Sequence, residues 1–329
     1  MPSEAKYYEK LGDGRVRCHL CPHECLIADG KAGFCRVRRN EGGTLIATTR
    51  GRAAAVAMDP VEKKPLYHFH PGARILSIGQ AGCSLRCEFC QNWHLLDPGI
   101  PQDDLTPEQA VQVARREGSV GIAYTYNEPY VGFEYVLETS QAARRAGLKN
   151  VLVTNGYYMP APFEELAPLT DAMNIDLKSI REEFYATYCH GNVAPVQRTI
   201  ETSVRKGIHV ELTNLLIPGL NDSERDVTDL VDYVAGVGRD VPLHLSRYHP
   251  AHKMTLPPTP AESLKRAYLI AKAKLNYVYI GNLLGAGGSD SVCPHCGKVL
   301  VRRWGYDVRI EALKGSCCGG CGKQLYFVA

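Results

Sequence analysis

Cys83, Cys87 and Cys90, in the run IGQAGCSLRCEFCQNW, carry the strongest chemical signal in the sequence. A structural metal site normally takes four protein ligands, and an ordinary four-iron cluster takes four cysteines. Three closely spaced cysteines on one loop therefore predict a cubane with one iron left open. That iron can chelate the amino and carboxylate groups of S-adenosylmethionine (SAM). Once reduced, such a cluster can split the S–C5′ bond of SAM homolytically, and the 5′-deoxyadenosyl radical released abstracts hydrogen from an unactivated C–H bond. The competing use of these residues is a zinc site completed by a distant fourth cysteine, although structural zinc sites usually take paired CxxC knuckles.

Two further cysteine groups flank this one. At the C-terminal side, CPHC and CGGC place Cys293, Cys296, Cys318 and Cys321 in two knuckles about twenty residues apart, the spacing of a zinc ribbon. A rubredoxin-like iron site or bare thiols are the alternatives, and Cys317 could substitute as a ligand. A tail below about 50 residues needs such a metal for stability. At the N-terminal side, Cys18, Cys21, Cys25 and Cys35 can close a structural zinc site, with His19 and His23 nearby, or hold an auxiliary iron–sulfur cluster. Their C-x2-C-x3-C-x9-C spacing matches neither the ribbon nor the ferredoxin run, and the reading favours a structural metal. Cys189 stands alone and reads as a small buried hydrophobe.

These groups need a scaffold, and the sequence between them supplies one. Short apolar runs at 74–79, 121–125, 150–154, 173–177, 210–216, 242–246 and 277–280 alternate with helical stretches. Thr106-Pro107-Glu108-Gln109 has the pattern of a capping box, Thr259-Pro260 reads as a second helix start, and 131–145 has helical spacing ending at Gly147. About six strand–helix units in roughly 210 residues predict an α/β fold, a partial (β/α)6 barrel, with chemistry at the C-terminal ends of its strands. The expected organisation is a Cys-rich N-terminal segment (1–72), a core barrel (73–282) and a zinc-ribbon-like tail (283–329).

The thirteen cysteines do not suit a secreted disulfide scaffold, because the first residues have no apolar signal core and the chain is long. No apolar stretch is long enough for a bilayer. A formal charge of +3 gives no reason to invoke nucleic acid or membrane, so a cytoplasmic protein is expected.

The CxxxCxxC pattern, with Phe89 before its last cysteine, resembles the radical SAM signature, and later motifs extend the likeness along the barrel. YTYNEP, with Asn127 and Glu128, is similar to the family's Gly-Gly-Glu-Pro motif, which implies a contact with the SAM ammonium, although the two glycines are missing. VTNG, with Thr154, follows; it has Val153 where activases carry an acid. In NIDLK, Asp176 and Lys178 lie two residues apart on a strand and can face the same way. They could bind the amino-acid head of SAM, Asp176 at its ammonium and Lys178 at its carboxylate. LLIPGLND and SRYHP resemble segments of the pyruvate formate-lyase activating enzymes, which implies that His249 sits near the adenosine. The whole arrangement, with CHLCPHEC, EKKPLYHFHPG and the terminal CPHCG and CGGCG, resembles the radical SAM protein of the AmmeMemoRadiSam system. That likeness implies Memo-like and AMMECR-like companions and a flavodoxin- or ferredoxin-like electron donor.

Three functions compete on this reading. One is a radical SAM enzyme acting on a small molecule or partner protein, and another is an activase of a glycyl radical enzyme. The third is a non-catalytic zinc-ribbon binding protein on a barrel scaffold.

Overall fold

The computed structural model describes residues 2–283 and 287–329. Its centre is an eight-stranded sheet whose strands neighbour one another in chain order. An antiparallel edge strand, β1 (Ala55–Pro60), pairs with β2 (Arg74–Gly79). Parallel to β2 follow β3 (Gly121–Tyr124), β4 (Lys149–Thr154), β5 (Ala172–Asp176), β6 (His209–Leu216), β7 (Leu243–Arg247) and β8 (Val278–Gly281). Each parallel strand falls within one residue of its expected limits. Among the described residues β1 and β8 do not pair with each other, so the partial barrel stays open. The sheet starts before residue 73, because β1 comes from the Cys-rich segment.

Helices α1 (Pro107–Arg116), α2 (Phe133–Arg145), α3 (Pro160–Leu166), α4 (Val193–Arg205), α5 (Glu224–Val237) and α6 (Ala261–Lys272) make the crossovers. The capping box at Thr106 forms: its hydroxyl accepts from Gln109 N at 3.2 Å, and Gln109 Oε1 accepts from Thr106 N at 2.8 Å. The expected start at Thr259 needs correction. Pro260 is the cap residue of α6, and the Thr259 hydroxyl instead donates to the Leu216 carbonyl (2.6 Å) and accepts from Tyr248 N (2.8 Å). A buried hydroxyl with two barrel partners is not free to cap.

Strand alternation sorts the two faces. Leu152, Met173, Ile175, Val210, Leu212, Leu243 and Leu245 belong to the main hydrophobic core. Ile75, Ala123, Val151 and Ala172 instead pack against Val61, Leu66 and Phe69 of the segment that precedes β2. Glu211 of β6, fully buried, holds that segment in place. It accepts from Tyr67 N (3.0 Å) and His68 N (2.7 Å), with His244 and His209 at 2.7 and 3.1 Å. Burial works against its charge, yet the two histidines keep its carboxyl well below the usual range. This anchoring is the structural use of EKKPLYHFHPG.

The tail carries β9 (Ser291–Val292), β10 (Val299–Trp304) and β11 (Asp307–Ile310). Leu300, Val301, Leu325 and Phe327 pack on Tyr277 and Tyr279, and Val328 N donates to His68 O at 2.8 Å. Arg303, buried, donates to the Tyr67 carbonyl at 2.6 Å and pairs with Glu62 at 3.5 Å. The tail is thus fastened to the sheet rather than tethered beside it. Among the described residues no helix is long and apolar enough to cross a membrane.

Candidate active site and metal centres

The three-cysteine loop begins immediately beyond the C-terminal end of β2, and the backbone around it holds its shape. Asn127, on the loop after β3, donates from Nδ2 to Gly82 O (2.9 Å) and accepts from Gln80 N (3.0 Å). At the other end Arg86 N and Glu88 N each donate at 2.9 Å to the carbonyls of Cys189 and Tyr188. Cys83 Sγ accepts from Leu85 N (3.4 Å) and from Asn155 Nδ2 (3.6 Å). Burial pushes the Cys90 thiol up to about 11, with Cys87 adding to it, and drives Cys83 well above its ordinary value. Thiols that resist ionisation this strongly become thiolates when a metal replaces their protons.

Cys189 is a residue whose place sequence reasoning missed. It is fully buried, as expected of a small hydrophobe, but the bond from Arg86 N to its carbonyl at 2.9 Å sets it against the loop beside Cys87. The Cys189 thiol, ahead of burial, raises Cys87 well above the normal thiol range. No neighbouring cysteine in the sequence signals it, because the contact is made by folding the 185–189 turn onto the loop. If Cys189 only packs beside Cys87, Cys189→Ala should keep the full iron content and shift the reduction potential of any cluster held there. Loss of iron in that variant would make Cys189 a ligand.

Asp176 and Lys178 lie across from the cysteines and pair at 2.6 Å. Burial opposes the Lys178 charge, but Asp176 and then Cys87 outweigh it, so its pKa stays above the usual lysine range. Both charges act in turn on Cys87 and Cys90. A carboxylate and an ammonium this close to the thiols match the complementary charges of an amino-acid head.

Glu128 occupies a different position from the one its motif suggests. Its carboxylate, 2% exposed, accepts from Thr154 Oγ1 (2.8 Å), Asn155 N (2.8 Å) and Tyr130 N (3.0 Å). Thr154 Oγ1 in turn shares a 2.6 Å bond with Tyr158. Glu128 and Thr154 therefore join the β3 and β4 loops and set Asn155, which reaches Cys83. Burial raises the Glu128 carboxyl to about 7, against the bonds from Asn155 and Tyr130. The stability it contributes is complete below about pH 4.5 and is lost as the pH rises through 7. Glu128→Gln should flatten that slope in thermal melts, leave iron content intact and weaken SAM binding by disturbing Asn155. Unchanged SAM affinity would remove Glu128 from the site.

His249 is exposed and lines a cavity of 1140 Å³ together with Gln91, which follows Cys90 directly, and residues of the β10–β11 hairpin. The tail hence walls the space beside the cysteine loop.

In the tail, Cys293, Cys296, Cys318 and Cys321 bring their sulfurs within 4.8 Å of one another. Two contacts, Cys293–Cys321 at 3.8 Å and Cys296–Cys318 at 3.7 Å, match the separation of about 3.8 Å that a tetrahedral site with 2.3 Å zinc–sulfur bonds requires. This group could bind a metal ion. Cys317 is not part of it, since its thiol bonds to Gln324 at 3.3 Å. Among the described residues no other group gathers so tightly, neither the barrel three nor the N-terminal four.

One known protein resembles this chain along almost its whole length, and others over its central part. A family model described as the radical SAM superfamily matches residues 77–231. An uncharacterized protein of Methanocaldococcus jannaschii, MJ0808, is 42% identical over 99% of both chains. The pyruvate formate-lyase-activating enzyme of Streptococcus mutans is 24% identical over 54% of this chain and 72% of its own. Among solved structures, a radical SAM methyltransferase from Sphaerobacter thermophilus superposes with a TM-score of 0.50, at 18% identity over 70% of this chain and 71% of that one. Streptococcus suis SuiB, bound to its precursor peptide SuiA, gives 0.52 at 14% identity over 69% of this chain and 52% of its own. The chain belongs to the radical SAM superfamily, with relatives among the pyruvate formate-lyase-activating enzymes. It is an enzyme, which sets aside the reading as a non-catalytic module, and the family implies a four-iron cluster and SAM.

Proposed function

We propose that Cys83, Cys87 and Cys90 hold a four-iron cluster with one iron free for SAM, and that the enzyme abstracts hydrogen from a small-molecule or partner-protein substrate. The observation that carries this reading is the Asp176–Lys178 pair, 2.6 Å apart, whose two charges act on Cys87 and Cys90 of the three-cysteine loop. When bound, the cluster supplies the electron that cleaves SAM to methionine and a 5′-deoxyadenosyl radical. The chain's own residues bind and orient. Asp176 takes the ammonium of SAM and Lys178 its carboxylate, exchanging their mutual bond for the ligand's charges. Asn127, Glu128 and Thr154 position the loops, and His249 faces the adenosine side. The zinc ion belongs to the four-cysteine tail.

The cavity beside Gln91 and His249 favours a substrate larger than SAM alone. An activase of a glycyl radical enzyme remains the second reading, supported by the activating-enzyme relatives. The likeness to the AmmeMemoRadiSam system adds Memo-like and AMMECR-like proteins as candidate companions, and a flavodoxin- or ferredoxin-like protein as the electron donor. The test of substrate is label transfer: reduced enzyme with deuterated candidates should yield deuterated 5′-deoxyadenosine when the substrate is correct. Protium only, alongside a modified product, would show that hydrogen abstraction is not the reaction.

A further inference from the structure

The Cys-rich N-terminal segment is built onto the active-site loop. Gly82, directly before Cys83, adopts φ +88°, and a Cβ there would lie 2.7 Å from the Cys35 carbonyl and 2.8 Å from the Val37 side chain. His23 Nε2 donates to the Ser84 carbonyl at 2.7 Å, and the Arg86 guanidinium donates to the Phe34 carbonyl. Four residues of the N-terminal segment, His23, Phe34, Cys35 and Val37, thus lie against Gly82, Ser84 and Arg86 of the cysteine loop.

The four N-terminal cysteines share one pocket. Cys18 N donates to the Cys25 carbonyl at 3.0 Å, Glu24 N to the Cys21 carbonyl at 3.1 Å, and Phe34 N, next to Cys35, to Cys25 Sγ at 3.3 Å. Yet their sulfurs do not gather at single-ion spacing, whereas those of the tail do. The contrast lies within one molecule. The tail quartet closes to 3.7 and 3.8 Å, and among the described residues neither the N-terminal four nor the barrel three gather as closely. Thiolates on separate corners of a cubane stand farther apart than thiolates on one ion. Beside this pocket lies Arg38, 1% exposed, whose charge is felt by Cys18 and Cys35. Its Nη1 donates to Glu134 at 3.0 Å and its Nη2 to the Lys6 carbonyl, while its buried Nε has no partner. An unpaired buried N–H of a cation is costly unless an acceptor completes it. Sulfide or thiolate of an anionic cluster is such an acceptor.

From these contacts we infer that Cys18, Cys21, Cys25 and Cys35 hold a second, fully cysteine-ligated four-iron cluster, which relays electrons to the loop of Cys83, Cys87 and Cys90. The relay moves one electron at a time. A low-potential donor protein of the flavodoxin or ferredoxin class reduces the N-terminal cluster by one electron. The same electron passes across the Cys35–Gly82 contact, which returns the N-terminal cluster to its oxidised state. Cys21 and Cys25 are only partly buried, which leaves the donor an edge to approach. This reading departs from the sequence-based preference for a structural metal here, on the ground that these four sulfurs are not gathered as the tail's are. The relay role rests on the triad reading given above, whereas the cluster assignment does not.

The experiment uses the full-length chain, purified and reconstituted without oxygen. Cys83/Cys87/Cys90→Ala protein should keep about four irons and an EPR signal, after reduction, that SAM leaves unchanged. Cys18/Cys21/Cys25/Cys35→Ser protein should keep about four irons with a SAM-sensitive signal. It should make 5′-deoxyadenosine normally with dithionite but at least about tenfold more slowly with a flavodoxin-type donor. A triad variant with zinc and no iron in excess of background overturns the second cluster. An unchanged rate with the protein donor overturns the relay. Should the triad hold no cluster at all, wild-type protein would contain about four irons, all lost from the N-terminal variant, so the two readings fail separately. If the quadruple variant does not fold, the triad variant alone decides the cluster.

Discussion

A chain carrying Cys83→Ala, Cys87→Ala and Cys90→Ala is expected to fold and to form no 5′-deoxyadenosine with dithionite and SAM. The fold should survive because the loop is held through backbone and amide groups. Asn127 bonds the Gly82 carbonyl, and Arg86 N and Glu88 N bond the carbonyls of Cys189 and Tyr188. None of these bonds uses a thiol. The strands beneath pack through Leu152, Met173, Val210 and Leu243, and of the three cysteines only Cys87 is a buried member of that core. The chemistry should not survive, because the Asp176–Lys178 pair would then have no open iron beside it to bind SAM and pass it an electron. A loss of at least about 10⁶-fold is the expected scale for removing a whole catalytic centre. Chromatography of the quenched reaction measures it, together with circular dichroism of the same sample. Product at the wild-type rate would place the active centre elsewhere.

The second large effect concerns the tail. Cys296→Ser with Cys321→Ser removes one ligand from each knuckle, and both residues are exposed, so packing loss is small. The variant should lose one metal ion per chain and the order of 287–329. Structural zinc sites contribute on the order of 10 kcal/mol to small domains, more than this tail's modest core can replace. The damage should spread. Val328 bonds to His68 and His70, and Arg303 bonds to Tyr67, so the segment 62–70 loses its cover when the tail unfolds. Metal analysis and hydrogen exchange at Val299–Trp304 and at 66–70 test both parts. Wild-type protein without a bound metal in the tail, or a variant with unaltered protection there, would contradict the assignment. A wild-type tail loaded with iron would replace zinc and keep the structural role.

Much of this was legible in the sequence because parallel strands covered on both faces are short apolar runs, and each of the seven falls within one residue of its expected limits. The four-cysteine group of the tail is legible for a related reason: knuckles are local in sequence, so Cys293, Cys296, Cys318 and Cys321 declare themselves by spacing. What stayed hidden depends on contacts between distant segments. The closeness of Cys189 to Cys87, and of Cys35 to Gly82, comes from packing of remote loops that no local pattern marks. Glu128 illustrates the intermediate case. Its motif marks it as part of the site, but whether its carboxylate faces ligand or protein is set by the ends of β3 and β4, and here it faces Thr154, Asn155 and Tyr130. Thr259 was misplaced for the same kind of reason, since a buried carbonyl at Leu216 outcompetes the helix end for its hydroxyl.

The most direct measurement is electron–nuclear double resonance on reduced, anaerobic protein mixed with SAM labelled with nitrogen-15 and oxygen-17 in its methionine group. Hyperfine coupling of both labels to a four-iron cluster, absent from Cys83/Cys87/Cys90→Ala protein, is the predicted result. A cluster spectrum without either coupling would mean that every iron is already capped by the protein, and would contradict the account.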